Sequence, residues 1–257
     1  MTPSSNAIPG AVAFDAAESV ATLTVGTGAR FNAMGREEWR DLERSALALA
    51  TLASLQAVVI RGEGGTFSSG SDLREWAGIP LEEVSESFAE IEAALQAIEA
   101  IPVPTVAVVE GIAAGGGCQL ALACDVQLMT DSARIGMPTA QLGILVPAAF
   151  ATRMSLRIGP SRTKNLLYNG RLLTSAQACG MGLITTSVAT AQLEKTLNDL
   201  LSRWAAQSAA SLRAAKTAVN QGLAPLTQAA RSFTDVDTAD SQEFPHRLAS
   251  FLHHPKR

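Results

Sequence analysis

The chain has 257 residues, 47% hydrophobic and 17% charged, with a formal net charge of -4. That length can bury a large core, and the acidic balance without a Lys/Arg cluster argues against nucleic acid or an anionic membrane as the main partner. No apolar run approaches the roughly 20 residues of a membrane span, and "MTPSSNAIPG" at the start lacks the basic and apolar parts of a signal peptide.

In chain order, Ala11–Val25 alternates loosely around a polar "DAAES" centre and predicts a hairpin. After the loop "GTGARFNAMG", residues 36–53 place Trp39, Leu42, Ala46, Leu49 and Ala50 at helical spacing. "LQAVVIRGEGG" reads as a short strand ending in a glycine turn, and "TFSSGSDLREWAG" as a loop that starts a helix. Residues 81–101 form an amphipathic helix. "PVPTVAVVEG" is a buried strand, since Val106–Val109 are apolar without alternation. A glycine run, a helix and the strand "DVQLMTD" follow. Residues 133–150 carry Gly136, Pro138, Gly143 and Pro147 and read as loop. "SRTKNLLYNG" and "LLTSAQACGMG" are helices, "LITTSVA" is a strand, and the remainder is helical. Repeated strand, loop and helix imply an α/β fold with parallel strands and crossover helices.

Two glycine-rich loops, "RGEGGTFSSGSDL" and "EGIAAGGGCQL", each follow an apolar strand and run into a helix. Such junctions aim free N–H groups and the positive end of a helix dipole at one spot. If the loops lie side by side, their amides can converge on one oxygen atom as an oxyanion hole. The alternative is turn chemistry or close helix–strand packing. Neither loop carries GxxxxGK[ST], and "GTGARF" lacks the third glycine of a dinucleotide fingerprint. The only histidines are His246, His253 and His254, which leaves no mid-chain histidine for a serine triad or a metal site. Cys118, Cys124 and Cys179 form no CxxC pair and read as small buried hydrophobes of a reducing cytoplasm.

"FSSGSDLREW" and "GIAAGGGCQLALACDV", with the pair Cys124–Asp125, resemble the two signature loops of the crotonase superfamily, the enoyl-CoA hydratases and isomerases. "RFNAM" and "GRLLTSAQACGMGLI" resemble two further segments of that family, so the likeness runs in order along nearly the whole chain. The resemblance implies a spiral of ββα turns over residues 1–195 and a helical region over 196–257 that assembles homotrimers, or hexamers as dimers of trimers. It implies an acyl-CoA thioester as ligand, with coenzyme A as part of that ligand and no metal, flavin or nicotinamide. The carbonyl oxygen would rest on the amides of Ser71 and Gly116. Arg30, Ala33, Phe67, Ser69, Asp72, Leu73, Gly115 and Pro138 would surround the ligand.

By the same resemblance, Gln119 and Thr139 stand where hydratases carry their two catalytic glutamates. Neither side chain gains or loses a proton near neutral pH, so they can line the reacting end and orient by hydrogen bonding only. Three readings follow: an enzyme with other acid/base groups or none, such as a thioester decarboxylase; a weak hydratase or isomerase; and a non-catalytic acyl-CoA binder. Glu75, Glu82 and Glu83 are candidate replacement acids, or exposed helix charges. Asp72 is placed as an N-cap. Glu110 and Tyr168 read as structural, Trp76 and Phe88 as core or acyl contacts. Arg30, Lys216 and the terminal "HHPKR" are candidate contacts to coenzyme A, and His246 a candidate proton donor.

Overall fold

Residues 12–15, 19–233 and 237–253 are described by the computed structural model. The N-terminal "MTPSSNAIPG", His254 and most of "HHPKR" lie outside the described residues. Strands β1 (Val12–Asp15) and β2 (Val20–Val25) pair antiparallel, as the alternation predicts. There follow β3 (Ala33–Met34), α1 (Arg36–Ala50), β4 (Ala57–Gly62), β5 (Gly70–Ser71) and α2 (Leu81–Ala100). Next come β6 (Thr105–Val109), β7 (Ile112–Ala114), α3 (Gly116–Ala123), β8 (Val126–Thr130) and β9 (Arg134–Gly136). The chain ends through α4 (Ala148–Asn169), β10 (Leu173–Thr174), α5 (Ser175–Met181), β11 (Thr186–Val188), α6 (Leu193–Ala205), α7 (Ala209–Arg231) and α8 (Glu243–His253).

The main sheet has the order β1-β2-β4-β6-β8-β11, parallel from β2 onward. Smaller sheets, β10-β9-β7 and β3-β5, collect the second strand of each turn. β4 and β5 lead to α2, and β6 and β7 to α3, so the chain winds as a spiral of ββα turns. All five residues of β6 are buried, because the main sheet is covered on both faces. Val58, Ile60, Ala107, Val109 and Met129 face the large core with α1, α2 and α3. Val59, Val106, Val108 and Leu128 face a smaller cluster closed by Leu193 and Leu197 of α6. Side chains that alternate across each strand generate both layers.

Several expectations need correction. Asp72 does not start a helix: residues 73–78 are turns, and the helix begins at Leu81. The stretch 133–150 is not loop throughout, since it holds β9 and the first residues of α4. Gly159 (φ 77°, ψ 162°) and Pro160 interrupt α4, which is why the sequence signals a helix only from Ser161. The helical last quarter is as expected, but residue 195 does not divide the core. Phe244 and Leu248 of α8 belong to the large cluster, and Trp76 packs on Phe88 and Phe244 with ring centroids 5.2 and 6.3 Å apart. Tyr168, expected to pack, is 76% exposed.

Candidate functional site

Asn32 ties its own loop, "GTGARFNAMG", to the first glycine-rich loop. Its side chain accepts from Gly28 N at 2.7 Å and donates to the carbonyls of Glu63 (2.8 Å) and Thr66 (2.5 Å). Arg30, Phe31 and Asn32 all take positive φ (49–55°), a conformation that costs L residues energy and is held here by these bonds. The turn sets β3 beside β5, pairing Ala33 with Gly70 and Met34 with Ser71. Ser69 N donates to Phe31 O and Asp72 N to Met34 O, both at 2.8 Å. Successive amides of an extended strand point to opposite sides. Since Asp72 N faces β3, the Ser71 amide turns away from it.

The three glycines before α3 serve different ends. Gly115 (φ 54°, ψ -119°) occupies a backbone region that only glycine takes readily, and a Cβ there would meet open space. A Cβ on Gly116 would stand 2.8 Å from Trp39 Cζ2 and 3.5 Å from Ser71 Oγ. On Gly117 it would overlap the Ser68 carbonyl. At Gly70 (φ 93°) a Cβ would be 2.5 Å from Ala114 O and 2.9 Å from Gly116 N. Close packing of the protein on itself therefore explains Gly116, Gly117 and Gly70. Only Gly115 leaves room for an outside group. The two glycine loops touch at Gly70 and Gly116, as their side-by-side placement requires.

Around this contact Ala33, Ser69, Ser71, Leu73, Gly115, Gly116 and Pro138 are all part-exposed. Gly115 N donates to Gly136 O at 3.0 Å, which brings β9 and the following turn Thr139–Leu142 alongside. Thr139 is buried, and its Oγ1 has no hydrogen-bond partner. Phe67 stands apart: it is fully buried in the large core.

Gln119 is fully buried. Its Oε1 accepts from Arg153 Nη1 at 3.1 Å, and its Nε2 lies 3.5 Å from Phe150 O and 3.6 Å from Met137 Sδ. Arg153 also donates to Glu99 Oε1 (2.6 Å) and Glu92 Oε1 (3.1 Å), and Arg231 of α7 bonds the same two carboxylates. Burial pulls the Arg153 pKa down, but Glu99 and Glu92 outweigh it and keep the guanidinium charged. Burial pushes the Cys118 thiol up to about 12, so it is no nucleophile at neutral pH.

Several candidate ligand contacts are engaged within the protein. Arg30 pairs with Asp72 at 3.0 Å. Asp72 also accepts from Arg74 N at 3.2 Å, a turn bond and not a helix cap. Lys216 pairs with Asp125 at 2.8 Å. Glu75 accepts from Arg36 N at 2.8 Å at the start of α1, and Glu110 sits 3.4 Å from Arg61. Trp76 and Phe88 are core, and His246 is exposed. Sequence reasoning missed Asn32 and Arg153 as organising residues and took Trp39 only as an apolar helix position.

The spiral of ββα turns and its paired glycine loops define a crotonase-like fold. The family model described as enoyl-CoA hydratase/isomerase matches residues 15–247. The chain belongs to the enoyl-CoA hydratase/isomerase family. Mouse methylglutaconyl-CoA hydratase is 33% identical over 198 residues, which span 75% of this chain and 63% of that protein. An enoyl-CoA hydratase structure from Mycobacterium avium subsp. paratuberculosis K-10 superposes with a TM-score of 0.82 at 24% identity, covering 95% of this chain and 96% of the other. An enoyl-CoA hydratase/isomerase structure from Pseudoalteromonas atlantica T6c gives 0.81 at 25% identity, with 95% and 97% covered. No helix among the described residues is long and apolar enough to cross a membrane.

Proposed function

We propose that the chain acts on an acyl-CoA thioester whose carbonyl oxygen is held by the amides of Ser71 and Gly116 while an enolate-like anion forms. One observation carries this reading: a Cβ on Gly70 would lie 2.9 Å from Gly116 N, so the amides of the two loops are neighbours. Removing one such donor typically costs about 2.7–4 kcal/mol in a transition state. The start of α3 adds the positive end of a helix dipole. The names of the relatives, all hydratases or isomerases of CoA thioesters, support the same substrate class.

Gln119 and Thr139 leave no carboxylate pair at the reacting end, so hydration by two glutamates is not the chemistry proposed. A reaction that needs enolate stabilisation and a later proton, such as thioester decarboxylation, suits the residues better. The reading calls for no resident metal, flavin or nicotinamide. Homotrimers or hexamers are proposed, supported by α7, a helix of 23 residues in which only Ala230 is buried. Free Cys118, Cys124 and Cys179 support a cytoplasmic setting.

A second reading, an acyl-CoA binder without turnover, is favoured by the bond from Arg153 that engages Gln119. Thermal shift with acyl-CoAs and loss of crotonyl-CoA enone absorbance separate the two. The ligands are expected to raise the melting temperature with concentration, and crotonyl-CoA to be hydrated far more slowly than by a two-glutamate relative. Turnover at that relative's rate would overturn the roles given to Gln119 and Thr139. Stabilisation without turnover of any thioester would establish the binder.

A further inference from the structure

We propose that Trp39 is a specificity-determining residue, its indole N–H donating to an uncharged oxygen carried on the acyl group. The inference rests on the acyl-CoA reading above and narrows it to hydroxy- or oxo-acyl groups. Trp39 is 1% exposed, and its Nε1 has no hydrogen-bond partner among the described residues. Cζ2, two bonds from Nε1 on the same edge of the indole, is the atom that would stand 2.8 Å from a Cβ on Gly116. The benzene edge of the ring, Cζ2 and Cη2, therefore lies against the turn whose amide is proposed to hold the thioester, and Nε1 is two bonds from Cζ2.

A buried donor without an acceptor costs about 1–3 kcal/mol, and an apolar side chain would fill this place without that cost. Buried polar groups are nearly always satisfied, so each orphan calls for a partner. Three side-chain atoms among the described residues are orphaned in this way: Trp39 Nε1, Thr139 Oγ1 and Ser45 Oγ. Two of them belong to segments at the Gly115–Gly116 turn: Trp39 packs on Gly116, and Thr139 follows by three residues the Gly136 carbonyl that accepts from Gly115 N. Ser45 lies nearly two turns further along α1.

The indole N–H only donates, while a threonine hydroxyl can donate or accept, so the missing partner is an oxygen acceptor. A carboxylate fits poorly. Arg30 is paired with Asp72, and Arg153 with Glu92, Glu99 and Gln119. A buried anion facing one N–H and one hydroxyl would pay a large desolvation penalty. A ketone or hydroxyl oxygen meets the same donors without it.

Calorimetric titration of the full chain with butyryl-CoA, acetoacetyl-CoA and 3-hydroxybutyryl-CoA tests this. The oxygen-bearing ligands are expected to bind about tenfold tighter than butyryl-CoA. Trp39→Phe keeps an aromatic side chain but loses the donor, and should abolish that preference, bringing the three affinities to a common value. A second readout uses the unsubstituted protein: its Trp39 indole N–H resonance, assigned with Trp76→Phe and Trp204→Phe, should shift downfield with acetoacetyl-CoA but not with butyryl-CoA. Equal affinities, a preference that survives in Trp39→Phe, or an unmoved resonance would each overturn the proposal and indicate that the orphan atoms hold only water. Failure to bind butyryl-CoA and both other thioesters would instead overturn the acyl-CoA reading, and this inference with it.

Discussion

Arg153 Nη1 donates to Gln119 Oε1 at 3.1 Å, and through that bond Gln119 joins a part-buried network that includes Glu92, Glu99 and Arg231. Gln119 thus helps satisfy an arginine. Gln119→Ala should leave one guanidinium N–H buried and unpaired, lowering stability by about 1–3 kcal/mol in urea denaturation at pH 7. An unchanged midpoint would mean that Arg153 finds another acceptor without cost.

Asn32 joins three backbone groups of two loops, so its loss should be felt well beyond its own volume. Asn32→Ala leaves Gly28 N, Glu63 O and Thr66 O without that partner and should cost about 2–4 kcal/mol. Asn32→Asp should be at least as damaging, because its carboxylate would face two carbonyl oxygens in place of a donor. Both are checked by chemical denaturation. Asn32→Asp near the stability of the unsubstituted protein would refute the bonding pattern.

The spiral was legible in the sequence because its buried parallel strands are short apolar runs punctuated by glycine, as in residues 57–62 and 105–109. The contact between the two glycine loops was legible for the same reason. The role of Gly116 was not: its neighbour is Trp39, on a helix far away in the chain, and helical spacing marks such a tryptophan only as core. Asn32 was hidden because its partners lie 31 and 34 residues away in a turn of positive φ. Arg153 was hidden because a lone arginine in "AAFATRMSLRIG" carries no sign of the carboxylates that α2 brings to it. Long-range polar pairing leaves little local pattern to read.

The joint between α1 and α2 should weaken in acid. Arg36 donates to both Glu90 oxygens (2.6 and 2.9 Å) and Arg40 adds a bond at 2.7 Å. The bond from Arg36, against a smaller opposing effect of burial and with help from Arg40, holds the Glu90 carboxyl below its usual 4.5. A folded-state pKa below the unfolded one gives stability that is full above about pH 5 and fades as pH falls through the folded value. Glu90→Gln should therefore cost about 1 kcal/mol at pH 7, with the pair only partly shielded from water. The gap to the unsubstituted protein should narrow as the pH is lowered from 7 to below the usual 4.5. Melting both proteins between these limits checks the sign, and a gap that stayed constant would count against the ion pair as its source.

Gly116 and Trp39 should be energetically coupled. Gly116 does not have positive φ and lies in the first turn of α3, so alanine there would by backbone preference gain roughly 0.5–1 kcal/mol. The added Cβ would, however, stand 2.8 Å from Trp39 Cζ2, closer than two carbons tolerate. Overpacking of this kind costs about 1–3 kcal/mol, so Gly116→Ala should destabilise the protein despite the better helix former. Trp39→Leu removes the obstructing ring and leaves a cavity of its own. In that background the same Gly116→Ala change should become neutral or stabilising, giving a coupling energy of about 1 kcal/mol or more in a double-mutant cycle. Strictly additive effects would separate the two residues, and would remove the indole from the turn at which an acyl group is proposed to bind.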